Sequence, residues 1–151
     1  MIDSPAAYEE SYLFRNAIEP AGIMSPSFRP DPGAFSALKK EQERIVEGGY
    51  LTMTPIELFE ANSRFHETIA LWSGNRFILH GVRRLDQLRR LVEYKQAIER
   101  PPRQIQAREH LAILDAIERL DYLRAATLMR DHLEGARRGK VGERVFEAAI
   151  P

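Results

Sequence analysis

An all-α fold, an antiparallel bundle of about six helices, is what the sequence predicts, and three observations predict it. Apolar residues recur every three to four positions in long runs. No alternating run of strand length competes with them. Capping residues followed by proline punctuate the chain where helices would begin. The 151 residues suit one domain with a real core and leave little room for a second.

Ser4-Pro5 opens the first helix, which runs to about Ile18, and Pro20 with the stretch from Gly22 to Pro32 breaks it. Asp31-Pro32 repeats the same start; Phe35, Leu38 and Ile45 mark the buried side, and Gly48-Gly49 ends the helix. Thr54-Pro55-Ile56-Glu57 joins a capping box to a proline at the first helical position. That third helix reaches about Ser73, with Gly74 as its C-cap and Asn75 as the cap of the next. The fourth, from about Arg76 to Ile98, is expected to bury Phe77, Ile78, Val82, Leu85, Leu88 and Val92. Pro101-Pro102 interrupts the chain before a fifth helix at about 102–120 carrying Ile113, Leu114 and Ile117. Asp121 caps a sixth, ending near Arg138; residues 1–138 read as the domain and 139–151 as a tail without clear periodicity.

Charge excludes some functions. The chain holds 22 basic and 22 acidic side chains, and a general nucleic-acid binder would carry a basic excess. Residues 1–75 hold 6 basic and 11 acidic groups, residues 76–151 hold 16 and 11. The arginine pairs 83-84, 89-90 and 137-138 read as a solvated helix face with intrahelical partners rather than as an anion site. Without cysteine there is no disulfide framework, thiolate metal site or cysteine nucleophile. No signal peptide opens the chain and no run approaches the ~20 apolar residues of a membrane span, so a cytoplasmic protein with no membrane partner is expected.

The four histidines carry the chemistry. Asn62 and His66 stand four apart on the face that holds Phe59 and Ile69. His110 precedes Ile113 and Leu114, and His132 follows Leu128 and Met129, at helical offsets that place both on apolar stripes. His80, between Arg76, Phe77, Arg83 and Arg84, is expected at a boundary or the surface. Buried polar groups need partners. Either the three inward histidines and Asn62 share a divalent metal, or each histidine separately finds a carbonyl, a carboxylate or a water. Phe65, Trp72 and Phe77 read as ordinary core.

From about Tyr8 to Arg138 the chain resembles the FCD domain, the C-terminal effector-binding domain of FadR-subfamily GntR transcriptional regulators. The resemblance rests on Phe14-Arg15-Asn16-Ala17-Ile18-Glu19-Pro20, on Asn62-Ser63-Arg64-Phe65-His66, and on Ser73-Gly74-Asn75. It continues through Glu109-His110-Leu111-Ala112-Ile113-Leu114-Asp115-Ala116-Ile117 and through Ala125-Ala126 with Met129-Arg130-Asp131-His132-Leu133.

It implies a metal-binding branch in which Asn62, His66, His110 and His132 hold a divalent ion, zinc first, with nickel or another divalent ion as alternatives. The ion would accept the carboxylate of a small organic-acid or sugar-acid effector. Arg15 would help bind that effector, or pair with a carboxylate inside the bundle. The resemblance also implies a homodimer, and a parent regulator that meets DNA only through a winged helix-turn-helix outside these residues; a stand-alone FCD protein is the alternative. Two departures matter. Asn62 replaces an aspartate, leaving the ligand set uncharged, and the prolines after Pro20 interrupt a helix that is alanine-rich in the family. No enzyme is expected. The rival readings are a metal-dependent hydrolase, for which Glu67 and Asp131 point the wrong way on their helices, and a metal-free interaction module.

Overall fold

The helix starts follow from the caps. In a computed structural model, which describes the backbone of residues 4–99 and 103–149 and the side chains of 4–90 and 103–139, Ser4 Oγ accepts from Ala7 N–H at 3.1 Å and Asp31 Oδ2 from Ala34 N–H at 2.8 Å. Thr54 and Glu57 exchange both bonds of a capping box, at 3.1 and 3.0 Å. Asn75 Oδ1 accepts from Phe77 N–H at 2.9 Å, and Asp121 Oδ1 from Arg124 N–H at 3.1 Å. Six long helices result: α1 (Pro5–Ile23), α2 (Pro32–Arg44), α3 (Pro55–Trp72), α4 (Arg76–Glu99), α5 (Ile105–Glu118) and α6 (Tyr122–Ala149). No strand occurs among the described residues. None of their helices is long and apolar enough to cross a membrane.

Several boundaries differ from expectation. Helix α1 passes through Pro20 and ends at Ile23. Pro20 forfeits one ladder bond, but the turn beyond it buries Gly22 and Ile23 completely enough to offset the loss. Gly48, at φ 145°, does end the second helix, through a wider π turn over Ile45–Gly49. Helix α6 also runs past its expected end near Arg138 to Ala149, since glycines at 139 and 142 only weaken a helix. The Pro101-Pro102 boundary lies outside the described residues.

The main core joins Phe65, Ile69 and Trp72 of α3 to Ile113, Leu114 and Ile117 of α5 and to Met129 and Leu133 of α6. Leu38 of α2 closes one side, and α1 lies along α6. Phe65 and Trp72 are therefore core, as expected, but Phe77 is 80% exposed. Val82 is buried, as expected, and shares the inner stripe of α4 with Leu79, Asp86 and Arg89, while Ile78, Leu85 and Leu88 are only half-buried. Two charged residues hold positions that a hydrophobic pattern assigns to apolar ones. Val92 lies outside the described side chains.

Helix α4 runs antiparallel to α1 and α3. Gly81 faces Ile18 and Phe14, and Arg89 Nη2 donates to Tyr12 Oη at 3.3 Å. On the other side Arg83 meets Glu67 at 3.8 Å and Arg90 meets Glu60 at 3.3 Å.

Gly74 joins α3 to α4 at φ 68°, and a Cβ there would lie 2.8 Å from Ser27 Oγ and 3.1 Å from the Ser27 carbonyl. Gly74→Ala should therefore lower the unfolding free energy by about 1–3 kcal/mol in urea denaturation. An unchanged midpoint would refute the strain.

Candidate metal centre

Three helices, two of them consecutive in the chain, aim imidazoles at one point. His66 of α3, His110 of α5 and His132 of α6 are 2, 2 and 3% exposed, and their ligand nitrogens all lie within 4.8 Å of one another. His110 Nε2 is 3.1 Å from His132 Nε2, which is 3.4 Å from His66 Nε2. The apolar stripes of the three helices bring the histidines inward, and Phe65 stacks on the His110 ring at a centroid distance of 3.8 Å.

Each Nδ1 is already committed. His66 Nδ1–H donates to Glu19 Oε1 at 2.6 Å, His110 Nδ1–H to Gln42 Oε1 at 2.9 Å, and His132 Nδ1–H to Glu109 Oε1 at 3.0 Å. An acceptor at every Nδ1 places the proton there and leaves a lone pair on every Nε2. Facing lone pairs cannot bond to each other, and one proton can bridge only one pair. A cation satisfies all three, so the residues present fit a metal ion.

The protonation states agree with that arrangement. Burial pushes His66 down to about 4, against the opposing charge of Glu19. Burial likewise depresses His110 well below its ordinary value, and the neighbouring histidines add to the effect. Burial alone would raise the Glu19 carboxyl, but Arg15 and His66 outweigh it and hold it at about 2.

The structure thus brings together His66, His110 and His132. Asn62 lies one turn before His66, half-buried. His80 is exposed, as expected. Arg15 is buried and its Nε donates to Glu19 Oε2 at 2.7 Å, so it pairs with a carboxylate inside the bundle. Sequence reasoning missed Glu19, Gln42 and Glu109 as partners of the histidines. Glu19 could have been found, standing one turn after Arg15 on the same face; Gln42 lies 68 residues from His110 and has no local signal.

A second buried polar group adjoins the first. Burial pushes the Asp86 carboxyl up to about 7, against the pull of Arg15 and Arg89. Its Oδ1 lies 3.8 Å from Arg89 Nη1, and both Arg15 and Arg89 stand over the Tyr12 ring, at 5.4 and 5.3 Å.

Comparison with known proteins gives one result. A family profile described as the FCD domain matches residues 10–135. No curated protein and no solved structure matches the chain.

Asp86 sets a pH dependence. Its carboxyl titrates near 3.8 when unfolded and about 7 when folded, so between those values the folded state binds the extra proton. Its contribution to stability falls as pH rises through that window. Asp86→Asn should therefore gain stability relative to the wild type between about pH 4 and 7 in urea denaturation. A difference that stays constant across that range refutes the shift.

Proposed function

The chain belongs to the FCD domain family, and from that premise we propose that it is the ligand-sensing and dimerisation domain of a GntR/FadR-type bacterial transcriptional regulator. The observation that carries the metal part is the convergence of three Nε2 lone pairs whose Nδ1 atoms are all occupied. His66, His110 and His132 would hold a divalent ion, and the Asn62 amide oxygen offers a fourth contact. Imidazoles without thiolates suit zinc, and nickel or another divalent ion less specifically. A bound ion supplies a cationic centre for the carboxylate of a small organic-acid or sugar-acid effector. Glu19, Gln42 and Glu109 hold the imidazole tautomers, and Arg15, which holds Glu19, would also help bind the effector.

Effector binding acts by favouring one arrangement of the bundle over another, in proportion to its differential affinity for the two. In a cytoplasmic parent regulator that bias would reach DNA-binding domains outside these residues. A hydrolytic role finds less support, because the two carboxylates that touch the histidines, Glu19 and Glu109, are engaged on the Nδ1 side. For the homodimer, the support is an apolar face on α1 and α4, where Phe14 and Phe77 are 46 and 80% exposed on either side of Gly81.

Two measurements test these parts. Zinc at a hundred- to thousandfold excess over its Kd should stabilise the wild type by about 3–4 kcal/mol, and His110→Ala or His132→Ala should abolish both that gain and metal retention. Substoichiometric metal after reconstitution, with a melting temperature indifferent to chelator, sinks the metal reading. For the dimer, Phe77→Glu should convert a dimer to a monomer in light scattering at unchanged helix content. A monomeric wild type at about 100 μM rules the dimer out.

A further inference from the structure

Of the three side chains that hold the histidine rings, Gln42 alone can hold its ring in either sense. Glu19 and Glu109 are carboxylates, which accept hydrogen bonds and donate none when ionised, so His66 and His132 keep their protons on Nδ1. The partner of His110 is a carboxamide, with an accepting oxygen at one corner and a donating NH2 at the other. The two corners are nearly equal in size. Half a turn about the last side-chain bond therefore exchanges them within the same cavity.

The surroundings of the amide do not fix its sense. Gln42 is 1% exposed, and with Oε1 at 2.9 Å from His110 Nδ1 its Nε2 is buried without a hydrogen-bond partner. Leu38, one turn earlier, is the other buried side chain of α2 and offers no bond. A buried N–H without a partner is tolerated less often than a carbonyl oxygen short of one. Turning the amide puts the oxygen in that place and points Nε2–H at His110 Nδ1.

The consequence appears on the far side of the ring. Once Nδ1 accepts, the single proton of the neutral imidazole belongs on Nε2. His110 Nε2–H then donates to His132 Nε2 at 3.1 Å, the closer of the two contacts that His132 Nε2 makes with its neighbours. The structure holds the accepting sense of Gln42, the one that three Nε2 lone pairs around an ion require. The donating sense gives the same rings a hydrogen bond of their own.

We propose that Gln42 is a tautomer switch for the metal centre: its amide donates to His110 Nδ1 in the metal-free chain, linking His110 to His132, and accepts from it when the three Nε2 atoms face an ion. The inference rests on the metal reading above and deepens it. Gln42 is a positioning residue that acts through His110. The proton given up at Nε2 is matched by one taken up at Nδ1, so the ring stays neutral and the count of protons is unchanged. Ion uptake then costs one bond between rings and one half-turn of an amide.

The test reads the rings directly. Long-range proton–nitrogen correlation spectra of the carbon- and nitrogen-labelled chain tell a protonated imidazole nitrogen from a bare one, with each ring assigned through its own side chain. They are recorded at about pH 8, above the ordinary histidine range, before and after zinc is added. Exposed His80 serves as the reference ring. Without zinc, His110 should carry its proton on Nε2 while His66 and His132 carry theirs on Nδ1. With zinc, all three should carry it on Nδ1. Gln42→Met, which leaves His110 Nδ1 without a partner, should keep the Nε2 proton in the metal-free chain and weaken zinc binding by about ten- to a hundredfold. His110 protonated on Nδ1 in the metal-free wild type overturns the switch and leaves the metal reading standing. Zinc affinity indifferent to Gln42→Met overturns it as well. Should that variant fail to fold, the wild-type spectra decide alone. A chain that takes up no zinc brings down the metal reading, and the switch with it.

Discussion

Three imidazoles packed at the centre of a bundle cannot all be charged, and everything around them follows from that. Burial disfavours the imidazolium form at His66 and His110. Each neutral ring still has to choose which nitrogen keeps its proton, and the choice falls to the acceptors at Nδ1: Glu19, Gln42 and Glu109. These three come from α1, α2 and α5, so the orientation of the rings is a property of the whole bundle. Arg15 then follows as the counter-charge that lets Glu19 remain ionised in the interior.

Much of this was legible in the amino-acid sequence, because its determinants are local. The caps at Ser4, Asp31, Thr54, Asn75 and Asp121 act within three residues of themselves, and each is made by the bond its residue type predicts. The inward course of His66, His110 and His132 follows from helical periodicity alone. Their convergence does not, since 44 and 22 residues separate them; the family resemblance supplied what spacing could not.

The failures share a cause as well. Pro20 inside α1 and Asp86 with Arg89 inside are cases where contact between distant helices overrides the local rule. Gly22, beyond Pro20, packs 3.2 Å from Ser73 if given a Cβ, so α1 is held helical by what it lies against. Asp86 and Arg89 face Tyr12 and Arg15 across the helix pair, which gives polar groups a place that an apolar stripe would deny them. A residue's own neighbours in sequence do not announce such arrangements.

The distribution of the cluster among the helices has a mechanical consequence. Helices α1, α2, α3, α5 and α6 each contribute a side chain that touches the three rings or is one of them. Among the described residues α4 contributes none. The five helices are thereby keyed to one another, because none can slide along its axis without breaking a bond to an imidazole. Among the described residues α4 is held to α1 and α3 by the buried Leu79, Val82 and Arg89 and, at the rim, by the ion pairs of Arg83 and Arg90. It is the element whose shift leaves the histidine geometry intact, and the one that also presents Phe77 to the outside. The histidine cluster accordingly ties five helices to one another and leaves α4 outside that set.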